Sequence, residues 1–125
     1  METKEVNLKN YAHIGDAVWE LFIREFTVYK TQKAKELHAL TTQHVRADYQ
    51  AKMLLLLQEH LSETETELVR RAGNLSIPVA RRNMQNEYRK ATAFEALIGW
   101  CYLNDKIRLE KLLEIVKQSD LFLLW

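Results

Sequence analysis

The chain has 125 residues, 47% of them hydrophobic and 28% charged, with a formal net charge of +1. That length holds one domain with a real apolar core, and three Gly with a single Pro exclude a disordered or turn-rich chain. A charge so close to neutrality also excludes a uniformly basic nucleic-acid coat, so binding of a polyanion requires cations gathered on one surface.

From the N-terminus, METKEVNLKN is charged where a leader peptide would be apolar. A first helix is expected over Leu8–Val28, with Ile14, Val18, Leu21, Phe22 and Phe26 as its apolar stripe. A short amphipathic helix follows over Thr31–Leu40, with Ala34, Leu37 and Leu40 on one side. Thr42 reads as the N-cap of a third helix reaching His60 and burying Val45, Tyr49, Met53, Leu56 and Leu57. The longest aliphatic block, Leu54–Leu57, falls far short of the ~20 residues of a membrane span.

Ser62 followed by Glu65 has the form of a capping box. The helix it starts carries Leu68 and Val69 and stops at Gly73-Asn74. Residues 75–86 hold Pro78 and no apolar period, so a loop is expected there. Glu87–Leu103 reads as a helix with Phe94, Leu97, Ile98 and Cys101 inward, and Asn104-Asp105 as a turn and cap. A last helix over Ile107–Lys117 places Leu109, Leu112, Leu113 and Val116 in the core, before a short apolar tail, DLFLLW. The expected fold is one all-α domain over residues 1–125. The single Cys101 cannot form an internal disulfide and suits a reduced, cytoplasmic protein with no membrane association.

Two helices carry a carboxylate beside a glycine. Asp16 follows Gly15 in YAHIGDAVWE, and Glu95 precedes Gly99 by one turn in ATAFEALIGW. Gly costs about 1 kcal/mol in a helix interior and Asp is a mediocre helix former. A glycine that lets another backbone approach explains the expense, and a crossing there would bring Asp16 and Glu95 to one point. Two such carboxylates stay ionised together only with a cation between them, and a hard ion such as Mg²⁺ or Mn²⁺ suits oxygen donors. Ordinary salt bridges at both positions are the competing reading. Glu20 lies one turn after Asp16 and could join the site, or pair with Arg24 one turn further on. His13 stands beside the site, as a general base or as a helix-surface residue.

Gly15-Asp16-Ala17-Val18 after Ile14 resembles the signature helix of the ribonuclease III family, and Phe94-Glu95-Ala96-Leu97-Ile98-Gly99 before Tyr102-Leu103 resembles its second active-site helix. The pair, in this order and spacing, extends the resemblance from about Asn10 to Lys117. The short chain, Glu20 and the Thr-Ala-Phe-Glu-Ala-Leu form are similar to the mini-ribonuclease III branch, which lacks a double-stranded RNA-binding domain. Arg70-Arg71-Ala72-Gly73-Asn74, Pro78 and Tyr88-Arg89 match that branch loosely.

The resemblance implies a homodimeric ribonuclease III fold and a divalent-metal-dependent endoribonuclease of double-stranded RNA. It implies Asp16 and Glu95 as catalytic and metal-holding residues, Mg²⁺ as cofactor with Mn²⁺ as substitute, and maturation of the large-subunit (23S) ribosomal RNA precursor. The substrate would be a pre-rRNA stem, with room for a ribosomal-protein helper. Full-length relatives have two further carboxylates, where this chain has Ala12 and Thr92, a reduction the mini branch shares. Thr92 would then ligate or orient a metal-bound water, with Glu20 beside it. The alternative is a catalytically weak or inactive ribonuclease III-like RNA-binding module. For RNA contact, Arg81, Arg82, Arg89 and Lys90 lead into the Glu95 helix, where phosphate-binding cations would be useful. His38, Thr41 and Arg46 match a region the family uses near the RNA backbone. A-form RNA is read by shape and 2′-hydroxyls, so base specificity is expected to be weak.

Overall fold

The computed structural model describes residues 7–75 and 85–122. All regular structure among them is helical: α1 (Leu8–Thr27), α2 (Ala34–Val45), α3 (Ala47–Leu57) running into a 3₁₀ turn (Gln58–His60), α4 (Glu63–Gly73), α5 (Gln85–Asn104) and α6 (Lys106–Lys117). No helix of the described residues is long and apolar enough to cross a membrane.

Helix α5 is the axis of the domain. It touches α1, α3, α4 and α6, so from Ala91 onward most of its residues are buried. Ala91, Ala93, Phe94, Ala96, Leu97, Ile98, Gly99 and Cys101 are all buried on it. Trp19, Ile23, Met53, Leu57 and Leu112 close the core around Phe94 and Leu97. Each large side chain removed from water stabilises by about 1.5–3 kcal/mol. Burial, with the charge of Glu65 second, pushes the Cys101 thiol up to about 12, which leaves it protonated and unreactive.

Three of the helix starts, those of α1, α4 and α6, are built as capped ends. Asn7 accepts from the backbone N–H of Lys9 at 2.8 Å. Ser62 and Glu65 form the reciprocal capping box, at 3.2 and 2.8 Å. Asp105 accepts from the N–H of Arg108 at 3.0 Å. Glu65 has a second duty: it is buried, and Arg108 grips it through Nε and Nη2 at 2.8 and 2.9 Å. Arg108 also donates to the His60 carbonyl at 2.6 Å, tying α4 to α6 and to the 3₁₀ turn.

Two expectations are corrected. Thr42 is no N-cap: α2 runs through it to Val45, and the break is Arg46, whose extended backbone (φ −69°, ψ 156°) separates α2 from α3. Thr41 and His44 explain the continuation. Thr41 bonds Thr27 of α1 at 2.9 Å, and the His44 carbonyl accepts from Trp19 Nε1 at 2.9 Å, so both turns of α2 are held against α1. The apolar stripe of α1 is also rotated. Its buried line is Ala12, Gly15, Trp19, Ile23 and Thr27, while Leu21 is 61% exposed. Gly15 admits the backbone of α5, so close approach selects the buried face ahead of hydrophobicity. Trp19 is therefore core. Phe22 and Phe26 are half-buried under Phe122, whose ring lies 5.6 and 5.1 Å from theirs. The tail is held further by Tyr49, which donates to the Leu121 carbonyl at 3.1 Å.

Candidate active site

The site begins at the α1–α5 crossing. A Cβ placed on Gly15 would lie 1.7 Å from the carbonyl oxygen of Glu95, and one on Gly99 would lie 1.9 Å from that of Tyr11. The two backbones therefore touch, each glycine receiving a carbonyl of the opposite helix. Asp16, next to Gly15, and Glu95, whose own carbonyl meets Gly15, are forced side by side. Burial, followed by the nearness of the Asp16 carboxyl, pushes Glu95 up to about 8. The expected convergence is real, and the glycines are its cause.

Asp16 is exposed and Glu95 half-buried on one wall of a cleft of about 330 Å³, lined also by Lys9, His13, Tyr88 and Thr92. Tyr88, Thr92 and Glu95 share one face of α5 at helical spacing. Beyond them lies a second cleft of about 650 Å³, bordered by Arg46, Asp48, Gln50 and Glu87. Glu95 thus stands on the divide between two adjoining depressions. Ala12 and Thr92 both line the first cleft with Asp16 and Glu95.

The donor set is all oxygen: two adjacent carboxylates and the Thr92 hydroxyl. No group of three or more His, Cys, Asp or Glu able to hold a metal occurs among the described residues. Such a set fits a hard divalent cation that keeps most of its shell as water or substrate oxygen, and no soft, fully protein-caged metal.

The remaining candidates separate. Glu20 forms an ion pair with Arg24 at 3.1 Å, one turn from Asp16 and outside the lining of either cleft. Arg89 lines the first cleft, yet its Nη1 donates to the Gly73 carbonyl at 2.8 Å, and with the Gln85 amide turned to accept, Nη2 and Nε donate to the Gln85 amide oxygen at 3.0 and 3.1 Å. Its guanidinium therefore fastens the C-terminus of α4 to α5. Lys90 and His38 are exposed. Arg46 borders the second cleft and pairs with Asp48 at 3.4 Å. Arg81 and Arg82 lie outside the described residues.

Two residues of the site escaped the sequence reading. Lys9 reaches the first cleft from the start of α1, two turns before Asp16. Gln50 is buried on α3 and donates to Glu95 Oε2 at 3.2 Å. Its signal was present: Gln50 lies in line with Met53, Leu54 and Leu57, a polar residue on an apolar face.

Residues 9–106 match the ribonuclease III domain family. The mini-ribonuclease 3 of Gloeobacter violaceus is 38% identical over 115 residues, covering 92% of this chain and 85% of that protein. The mini-ribonuclease 3 of Clostridium tetani is 36% identical, covering 92% and 79%. A mini-ribonuclease 3-like protein of Ilyobacter polytropus is 40% identical over 105 residues, covering 82% and 83%. A protein of Fusobacterium nucleatum, known from its crystal structure, superposes with a TM-score of 0.82 at 30% identity, covering 94% of this chain and 98% of that one.

Proposed function

The chain belongs to the ribonuclease III family, in its mini-ribonuclease III group, and from that premise we propose that it is an endoribonuclease that hydrolyses phosphodiester bonds of double-stranded RNA at Asp16 and Glu95 with a divalent cation. The observation that carries the reading is the backbone contact at Gly15 and Gly99, which sets these two carboxylates together on a cleft wall.

A bound Mg²⁺ or Mn²⁺ would supply Lewis acidity and an activated water at the scissile phosphate. Asp16 and Glu95 are the residues to hold it. Pressed together and partly desolvated, they favour a proton or a cation between them over two free charges. Thr92, one turn before Glu95, offers a hydroxyl to orient a water. Lys9 and His13 border the same cleft and supply donors for phosphate oxygens. Arg46 at the adjoining cleft suits the next stretch of backbone. With these few cations on a nearly neutral chain, affinity for duplex RNA is expected to draw on two subunits. The exposed Leu21, Val28 and Tyr29 on and just after α1 are an apolar surface suited to pairing. Within this reading the substrate is a stem of the large-subunit ribosomal RNA precursor, recognised by A-form shape.

The test is incubation with a duplex RNA and with pre-ribosomal RNA, with and without Mg²⁺, alongside Asp16→Asn and Glu95→Gln. Cleavage that needs Mg²⁺ and is lost in both folded variants is expected. Undiminished cleavage in both variants overturns the reading. Salt-sensitive duplex binding with no cleavage in Mg²⁺ or Mn²⁺ makes the chain a binding module.

A further inference from the structure

Gln50 is 1% exposed. Its amide nitrogen spends both hydrogens: one on the Val45 carbonyl at the end of α2, at 3.0 Å, the other on Glu95 Oε2 at 3.2 Å. Its amide oxygen is buried and has no hydrogen-bond partner among the described residues. Buried polar groups are normally paired, and an orphaned acceptor is a standing cost. Met or Leu would fill the same place beside Met53 and Leu54 without that cost. Packing therefore does not account for an amide at this position; its two N–H bonds, to the Val45 carbonyl and to Glu95, do.

We infer that Gln50 is a positioning residue, which fixes the carboxylate of Glu95 against Asp16 in the geometry that receives the cation. The inference rests on the proposed nuclease reading. Glu95 borders both clefts, and a glutamate has enough rotatable bonds to turn its carboxylate toward either. The bond from Gln50, itself tethered to the α2–α3 junction through Val45, removes that freedom before substrate arrives. A neutral amide is the right donor for the task. Lys or Arg would fix the carboxylate equally well but cancel the negative charge a divalent cation needs. A bond to one oxygen leaves the other for the cation, as the outer partners of metal-holding groups commonly do.

The test compares wild type, Gln50→Met, Gln50→Leu and Glu95→Gln by thermal melting, by calorimetric titration of the metal-free protein with Mn²⁺, and by steady-state cleavage of duplex RNA. Gln50→Met is expected to melt within a few degrees of wild type, since loss of the Val45 bond offsets removal of the orphaned acceptor. It should bind Mn²⁺ roughly tenfold more weakly and lose about 10–100-fold in kcat, with KM for RNA within about twofold. Added to Glu95→Gln, it should weaken Mn²⁺ binding no further. A folded Gln50→Met with wild-type Mn²⁺ affinity and kcat overturns the inference and leaves the nuclease reading standing. Absence of both cleavage and Mn²⁺ binding in the wild type removes the nuclease reading, and the inference with it.

Discussion

Gly15 lies so close to Glu95 that a Cβ on the glycine would sit 1.7 Å from the carbonyl oxygen of the acid's own residue. The obstacle is backbone in the middle of α5, which cannot yield as a flexible side chain would. Gly15→Ala should therefore force the helices apart, destabilising by about 3 kcal/mol or more and separating Asp16 from Glu95. Gly99→Ala, blocked at 1.9 Å by Tyr11, should behave alike. Gly73 is the control. At the end of α4 its nearest neighbours would be 3.8 Å from a Cβ, and Gly73→Ala should be neutral or gain about 0.5 kcal/mol. Urea melts of the three variants check this ordering.

The helices and the acidic pair were legible because each left a local anomaly: a capping residue, an apolar period, or a glycine paired with a carboxylate inside a helix. Convergence of Asp16 and Glu95 is only suggested by those anomalies, since contact between distant segments leaves no local trace. Hydrophobicity alone points to Leu21 on α1, whereas the crossing is decided by the smallness of Gly15 and Gly99. Arg46 was missed as a helix break because it carries no Gly or Pro. Arg89 looked like a phosphate ligand, and only three-dimensional proximity reveals the Gly73 carbonyl that it holds. Gln50 carries no charge and sits on the apolar face of α3, so only its contact with Glu95 marks it.

Glu95 makes stability depend on pH in a particular direction. Its carboxyl is raised from the ordinary 4.5 to about 8, so the folded state holds the proton more tightly than the unfolded chain does. The contribution is full below about 4.5 and is lost as pH rises through about 8, a loss on the order of a few kcal/mol. In metal-free protein, melting temperature should fall between pH 5.5 and 8.5 by several degrees more in wild type than in Glu95→Gln. Mg²⁺ should reduce that difference, because a cation replaces the proton between the carboxylates. Differential scanning calorimetry at the two pH values, with chelator or Mg²⁺, measures it. Equal slopes in both proteins under chelator would refute the assignment.

Glu65 works with the opposite sign. The bond from Arg108, aided by the Ser62 backbone against the opposing effect of burial, holds its carboxyl below the usual range. Its stabilisation is present above about 4.5 and drains as pH falls through the lower folded value. Arg108→Met leaves Glu65, whose side chain is 6% exposed, as an unpaired buried charge. That should cost about 3–5 kcal/mol at neutral pH and progressively less in acid. Cleavage well below the melting temperature should be unchanged, since neither residue lines the carboxylate clefts.

Thr92 offers a test of what a reduced site gives up. It lines both clefts, one turn before Glu95 on the same face of α5. Thr92→Asp would set a third carboxylate beside two that already repel. Without metal, the added negative charge should lower the melting temperature by a few degrees, on the order of 1 kcal/mol. With metal the sign reverses, because a third oxygen donor replaces a water in the cation's shell. Half-maximal cleavage should then occur at a lower Mg²⁺ concentration than in wild type, by roughly tenfold if the new donor is worth about 1.4 kcal/mol. Thr92→Val keeps the shape and removes the hydroxyl. It should leave metal-free stability nearly unaltered and raise the Mg²⁺ requirement by a few-fold, if the hydroxyl orients a metal-bound water. Mg²⁺ titrations of initial cleavage rate distinguish the two variants. Coincident Mg²⁺ curves for wild type, Thr92→Val and Thr92→Asp would place the cation away from this turn of α5.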